Sequence, residues 1–189
     1  MTQLTPSQFD SKALEAIRLS VDVIAAEAAR AYNYLDARVL DIGPQGKDYA
    51  SKLFTRAKYD TFDISDEHKP THVGDLCDNK SENGVSILCA KYDAILCFEV
   101  LEHVNQPFLA VNNLKYMLKP GGMLYLTTPF NFRIHNPLPD NWRFTEHGLR
   151  QLFSDGWHIL DIQTVESIYV EAPSRPLMPV HYRLWAKKI

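Results

Sequence analysis

The stretch Arg38-Val39-Leu40-Asp41-Ile42-Gly43-Pro44-Gln45-Gly46 decides the fold. It reads as a short buried strand that runs into a turn with two glycines and then into a helix over about residues 47–55. An apolar run this short, bounded by turn residues, fits a parallel strand covered on both faces. The strand ends in an acid, Asp41, and Gly43 stands where the backbone must approach something closely. Twenty residues beyond Gly43, Tyr59-Asp60-Thr61-Phe62-Asp63 reads as a second strand that also ends in an acid. A carboxylate at that tip suits a nucleoside site, because it accepts both hydroxyls of a ribose.

Asp41 separates the nucleotides that such a turn serves. A dinucleotide would lay its pyrophosphate over the turn, where an ionised carboxylate would repel it. S-adenosylmethionine has an ammonium there and no phosphate, the charge pattern that Asp41 would hold. The same acid-glycine turn also fits a plain strand-to-helix connection.

Before this stretch, Leu14, Ile17, Val21, Ile24, Ala28 and Tyr32 recur three or four residues apart. They predict one amphipathic helix over residues 12–34, capped by Asp10 or Ser11, that covers the sheet edge or roofs the site. After it, Thr71-His72-Val73-Gly74 reads as a short third strand, and residues 79–90 have little pattern. Tyr92 to Phe98 is apolar throughout, as a central strand is. Asn105 is the expected cap of a helix with Pro107 in its first turn, stopped by Pro120-Gly121-Gly122. Met123 to Thr128 forms a fifth strand, and the proline- and aromatic-rich residues 129–144 a long loop of the functional kind. Thr145 caps a short helix through Phe153, Trp157 to Ile162 is a sixth strand, and Pro179 to Lys187 a seventh at or near an edge. Only a loop with Pro173 and Pro176 joins the last two, so they form an antiparallel pair.

Composition bounds the function. The 189 residues are 46% hydrophobic and 23% charged with a net charge of -3, an ordinary globular balance without a Lys/Arg cluster. That argues against a nucleic-acid or anionic-membrane partner. Cys77, Cys89 and Cys97 lack metal-ligand spacing and fit small buried residues of a reducing compartment. With no apolar signal segment and no stretch long enough to span a bilayer, the expected location is the cytoplasm. One domain is expected, with residues 1–36 as a helical cap and residues 37–189 as the core.

The order of strand, acid-glycine turn, second acid, Gly74-Asp75-Leu76, Tyr92-Asp93-Ala94-Ile95, Glu99-Val100-Leu101-Glu102-His103-Val104 and Leu118-Lys119-Pro120-Gly121-Gly122 resembles the class I S-adenosylmethionine-dependent methyltransferases. It is most similar to their small single-domain type 11 group. The resemblance implies a Rossmann-like α/β fold: a seven-stranded, mostly parallel sheet with an antiparallel C-terminal strand and helices on both faces. It implies S-adenosylmethionine as cofactor, with Asp41, Gly43 and Pro44 at its methionine end. Asp63 and Ile64 would meet the ribose, Asp75 and Leu76 the adenine, and Phe98 and Glu99 the sulfonium. The family's turn is usually Asp-x-Gly-x-Gly-x-Gly, whereas Gln45 and Lys47 occupy the second and third glycine places here. A non-catalytic binding module with an altered turn is therefore the alternative function; a nicotinamide dehydrogenase is disfavoured by Asp41. Some relatives hold a divalent metal with a Glu-x-x-Glu-His group, but the same string is common in relatives without one. No required metal site is expected of Glu99, Glu102 and His103.

Methyl transfer to a hydroxyl needs alignment and a general base. The candidate bases are His103, His135 and His181, with His135 and His103 favoured as catalytic residues. His135 lies in the loop after the fifth strand, where a parallel sheet opens its crevice. In that loop Phe130, Trp142 and Arg143 are the expected contacts to a small-molecule acceptor, such as a sugar or secondary metabolite. A loop histidine is also often only a solvated side chain, and Trp142 also fits an anchor for the loop, with Arg143 paired to Asp140.

Overall fold

Helical periodicity at the N-terminus and strand alternation after it build three layers. The protein is described from a computed structural model, which covers residues 8–78, 85–166 and 179–189. Helix α1 (Gln8–Tyr32) buries Ile17, Val21, Ile24, Ala25 and Ala28 along one stripe. It begins before the expected cap, so Asp10 sits in the first turn, where its negative charge complements the free amides. Asp10 also lies 3.8 Å from Arg133.

The sheet contains β1 (Arg38–Ile42), β2 (Lys58–Asp63), β3 (His72–Val73), β4 (Tyr92–Phe98), β5 (Leu118–Pro129), β6 (Trp157–Glu166) and β7 (Pro179–Lys188). Its order is β3-β2-β1-β4-β5-β7-β6. Strands β1 to β5 pair in parallel, and β7 runs antiparallel to both neighbours. The mostly parallel sheet with an antiparallel C-terminal strand is thus as expected. So is the place of β7 at or near an edge: it is the last interior strand, and β6 takes the edge beside it. Val180, His181, Tyr182, Leu184, Trp185 and Ala186 are all buried, which only a strand covered on both faces and both sides allows.

Alternation along β1 sends Val39 to the α1 face and Leu40 and Ile42 to the other. On that second face pack α2 (Pro107–Met117) and α3 (Glu146–Leu152), through Val111, Leu114, Leu149 and Leu152. Each such aliphatic side chain contributes about 1.5–3 kcal/mol on leaving water. Thr145 caps α3 as expected, its hydroxyl accepting from the Gly148 amide at 3.1 Å. Among the described residues no helix is long and apolar enough to cross a membrane.

Two local expectations fail. The helix over residues 47–55 is only a 3-10 turn at Ser51–Leu53. Gly43, Gln45 and Gly46 all take positive φ, so the chain enters that segment turning the wrong way to nucleate an α-helix. Gln106 rather than Asn105 precedes α2, with Pro107 at its first position and no side-chain cap. Residues 79–84 and residues 167–178, where a loop with Pro173 and Pro176 is expected, lie outside the described residues.

Candidate active site

The parallel strands β1, β2 and β4 bring their carboxyl ends together, and two cavities open there. The first, of about 240 Å³, is lined by Gly43, Gln45, Asp63, Ile64, Asp75, Leu76 and Glu99, with Val100, Val104 and Asn105 opposite. The second, of about 510 Å³, lies under α1 and is lined by Leu14, Ile17, Val21, Tyr49, Phe98, Phe132 and His135. Arg18 and Lys47 add positive charge to its wall. Gly43, Gln45, Glu99, His103 and Pro137 line both, so the cavities share a neck.

The glycine turn is built for close approach. A Cβ on Gly43 would come 3.0 Å from Val100, and one on Gly46 2.8 Å from His68. Gln45 occupies a glycine place and adopts the glycine conformation, at φ 50°. Its amide donates to Asp63 Oδ2 at 3.3 Å, while the Ser65 amide donates to Oδ1 at 3.1 Å. Those bonds fix the carboxylate and leave each oxygen a lone pair for a ligand hydroxyl. Asp75 likewise accepts from the Cys77 amide at 2.7 Å.

Asp41 and Pro44 do not line either cavity. Strand alternation turns Asp41 onto the α1 face, where it is buried and Oδ2 accepts from the Tyr59 hydroxyl at 2.5 Å. Its Oδ1 has no partner. Burial, opposed by the Tyr59 bond and aided by the Asp63 charge, pushes its pKa up to about 7. Direct contact with a cofactor ammonium is therefore not the role this geometry offers Asp41. Pro44 is buried beneath the turn, its carbonyl accepting from the Lys47 amide at 2.9 Å.

Glu99 stands at the neck in the left-handed region, at φ 56°. Its Oε1 lies 2.5 Å from Nε2 of His181, which is fully buried on β7 and bonded through Nδ1 to the Ser20 hydroxyl of α1 at 3.1 Å. Burial works to raise the Glu99 carboxyl, but the His181 charge and bond hold it below the ordinary value. His181, weighed as a base, thus lies beneath the site as its support.

The loop of residues 130–145 is braced by the aromatic and charged groups expected to hold an acceptor. Trp142 stacks on Phe144 and its indole donates to the Val104 carbonyl at 2.7 Å. Arg143 forks onto Asp140 at 2.5 and 2.6 Å and caps the carbonyls of Phe132, Arg133 and Trp142. Phe130 packs edge-on against Tyr182. None of the three lines either cavity; Trp142 and Arg143 satisfy backbone carbonyls that no helix or strand pairs there, and Phe130 supplies packing. Phe132 and Pro137 face the cavities instead, and no periodicity distinguishes them from their neighbours.

His135 and His103 meet at this loop, ring centres 5.1 Å apart. His103 Nδ1 donates to the Pro139 carbonyl at 2.9 Å, and His135 Nδ1 faces Asp140 Oδ2 at 3.0 Å. Both Nε2 atoms lie near one oxygen, Glu102 Oε1, at 3.7 and 3.8 Å. Glu102 is fully buried and neither oxygen has a hydrogen-bond partner. Burial, with the Glu99 charge nearby, pushes its carboxyl well above the ordinary range. Burial lowers His103, partly offset by the Pro139 bond. Asp140 resists its own burial through the Arg143 fork, which brings it down to about 2. Glu102, His103 and His135 have the donor atoms of a metal site, all within 4.8 Å of one another, whereas Glu99 is committed to His181.

Fold and cleft together define a Rossmann-like α/β domain whose cavities open at the carboxyl ends of its parallel strands. Residues 12–157 match the family of methyltransferase domains, and the chain belongs to it. It is 29% identical over 134 residues to the ubiquinone biosynthesis O-methyltransferase of Xanthomonas campestris pv. campestris, covering 61% of this chain and 50% of that protein. The same-named enzyme of Paraburkholderia phytofirmans is 49% identical over 39 residues, 21% of this chain and 17% of that protein. The chain thus spans half or less of these curated relatives. Among solved structures, Burkholderia thailandensis 1,6-didemethyltoxoflavin-N1-methyltransferase, with bound 1,6-didemethyltoxoflavin and S-adenosylhomocysteine, is similar at TM-score 0.59 and 15% identity. That similarity covers 100% of this chain and 92% of that one.

Proposed function

We propose that this protein transfers the methyl group of S-adenosylmethionine to a hydroxyl of a small-molecule acceptor. The observation that carries the proposal is the shared neck: one cavity with an acid-tipped strand adjoins a second at Gly43, Gln45, Glu99 and His103. In this reading the adenosyl group fills the first cavity, with its ribose on Asp63 and its adenine by Asp75 and Leu76. The sulfonium sits at the neck beside Glu99, and the methionine end runs along the turn toward Arg18 and Lys47. The acceptor enters the second cavity, against Phe98, Phe132 and the α1 residues Ile17 and Val21.

Its hydroxyl oxygen attacks the methyl carbon in line, the sulfur–carbon bond breaks, and a neutral thioether leaves. The hydroxyl proton is lost at the Glu102–His103–His135 cluster, whose two imidazoles line the second cavity. Holding both reactants across the neck removes the entropy of their encounter from the barrier. The relatives' O-methyltransferase activity supports oxygen as the acceptor atom. Sugars and secondary metabolites remain within the acceptor class. The glycine-like backbone of Gln45 speaks against the binding-module alternative, since the altered turn keeps the conformation that close approach needs.

Calorimetry with S-adenosylhomocysteine tests the cofactor placement. Asp63→Ala removes two charge-assisted contacts to the ribose, each about 1.5–3 kcal/mol before water compensates, so affinity should fall at least tenfold. Unchanged affinity in that variant would remove the first cavity from the proposal.

A further inference from the structure

We infer that Glu102, His103 and His135 form a divalent transition-metal site that ties the loop after β5 to the tip of β4. The fully buried Glu102 carboxylate has no hydrogen-bond partner on either oxygen, although it lies beside two imidazoles. Both Nε2 atoms stand at 3.7 and 3.8 Å from Oε1, too far for hydrogen bonds. Three donor atoms so spaced can share one point about 2–2.5 Å from each, close to the bond lengths of a nitrogen- and oxygen-ligated ion.

The outer contacts are set for the same purpose. His103 gives its Nδ1 proton to the Pro139 carbonyl at 2.9 Å and His135 gives its own to the Arg133 carbonyl at 3.4 Å, while Asp140 accepts from the His135 backbone amide. Asp140 is in turn clamped by Arg143. A carbonyl behind each imidazole fixes the tautomer that offers Nε2 to an ion and orients the ring. Two imidazoles and one carboxylate suit Mn²⁺, Co²⁺ or Zn²⁺ better than the oxygen-seeking Mg²⁺ or Ca²⁺.

This ligand set differs from the Glu-x-x-Glu-His string. Glu99 is held away by His181, and the third ligand, His135, comes from the loop. It also departs from the expectation, drawn from residues alone, that no metal is required. When bound, the ion would acidify a hydroxyl placed on its open side. That use rests on the proposed methyl transfer, whereas the binding itself does not.

The test uses the full chain stripped of metal, then titrated with Co²⁺ and Zn²⁺ by calorimetry and, for Co²⁺, by visible absorption. One equivalent should bind, raise the Tm with ion concentration, and slow proteolysis within residues 130–145. Glu102→Gln and His135→Asn should each weaken binding at least tenfold, Asp140→Asn by about tenfold, and Glu99→Gln by less than threefold. Circular dichroism of each metal-free variant separates lost binding from lost folding, and Glu102→Gln should fold, since it removes a buried carboxyl without a partner.

Absence of saturable binding, full binding by His135→Asn, equal loss in Glu99→Gln, or an equal preference for Mg²⁺ would each overturn the assignment. S-adenosylhomocysteine titrated into the same samples keeps the two readings apart. Cofactor binding without Co²⁺ binding refutes the metal site alone; Co²⁺ binding without cofactor binding refutes the methyl-transfer reading alone.

Discussion

Asp41→Asn should gain stability relative to the parent as pH rises from 5 to 8, and the gain should level off above the folded pKa of about 7. The cause is a carboxyl buried with one oxygen unpartnered and the other bonded to Tyr59. Burial raises its pKa from 3.8 to about 7 in the folded state. Between those values the unfolded chain has released the proton while the folded protein still holds it. The folded state therefore binds more protons, and stability falls as pH rises through that window. At 1.36 kcal/mol per pKa unit, a shift from 3.8 to about 7 sets a ceiling of about 4 kcal/mol above neutral pH. Most of it is expressed between pH 5 and 8, and reorientation of Tyr59 lowers it to ~1–3 kcal/mol there. The asparagine does not titrate, keeps an acceptor for the Tyr59 hydroxyl, and leaves one amide proton pair unsatisfied at a cost of about 1–3 kcal/mol at every pH. Urea melts of both proteins at pH 5 and pH 8 isolate the effect, since the constant cost cancels in the difference. If the stability gap between variant and parent stays the same at the two pH values, Asp41 titrates normally and the argument from its burial is wrong.

Gln45→Gly should raise stability by ~0.5–1 kcal/mol, because the backbone already takes the left-handed conformation that a side chain opposes; a lower Tm would show that the Gln45 side chain makes a stronger contribution than its strain. Trp142→Ala removes the indole bond to Val104 and the stack on Phe144, so acceptor turnover should fall with loop order while S-adenosylhomocysteine affinity stays within threefold. Equal loss of both would mean that Trp142 supports the whole fold. His181→Ala leaves Glu99 at the neck without its partner and should cost about 3–5 kcal/mol, whereas Glu99→Gln should cost less, since its amide oxygen still accepts from His181; the reverse order in thermal melts would refute the support role of His181.

The sequence by itself determined the sheet, the order of its principal motifs and the family. Those features are written in local pattern: short apolar runs in β1 and β4, three-and-four spacing in α1 and a threonine cap on α3. The residues of the first cavity were legible for the same reason, since Gly43, Asp63, Asp75 and Leu76 follow strand tips that a parallel sheet must gather at one end. Tertiary structure alone decided which way Asp41 faces, because a turn motif does not say which side of the sheet its preceding acid meets. It alone set β7 between β5 and β6, since pairing between distant strands has no local signature. The same holds for the loop after β5. Composition marked Trp142, Arg143 and Phe130 as ligand-binding, but a segment without regular structure must satisfy its own backbone and used Trp142 and Arg143 for that, with Phe130 packed on Tyr182. His135 and Glu102 are 33 residues apart in the chain, and only the folded loop sets their side chains against each other, at 3.8 Å.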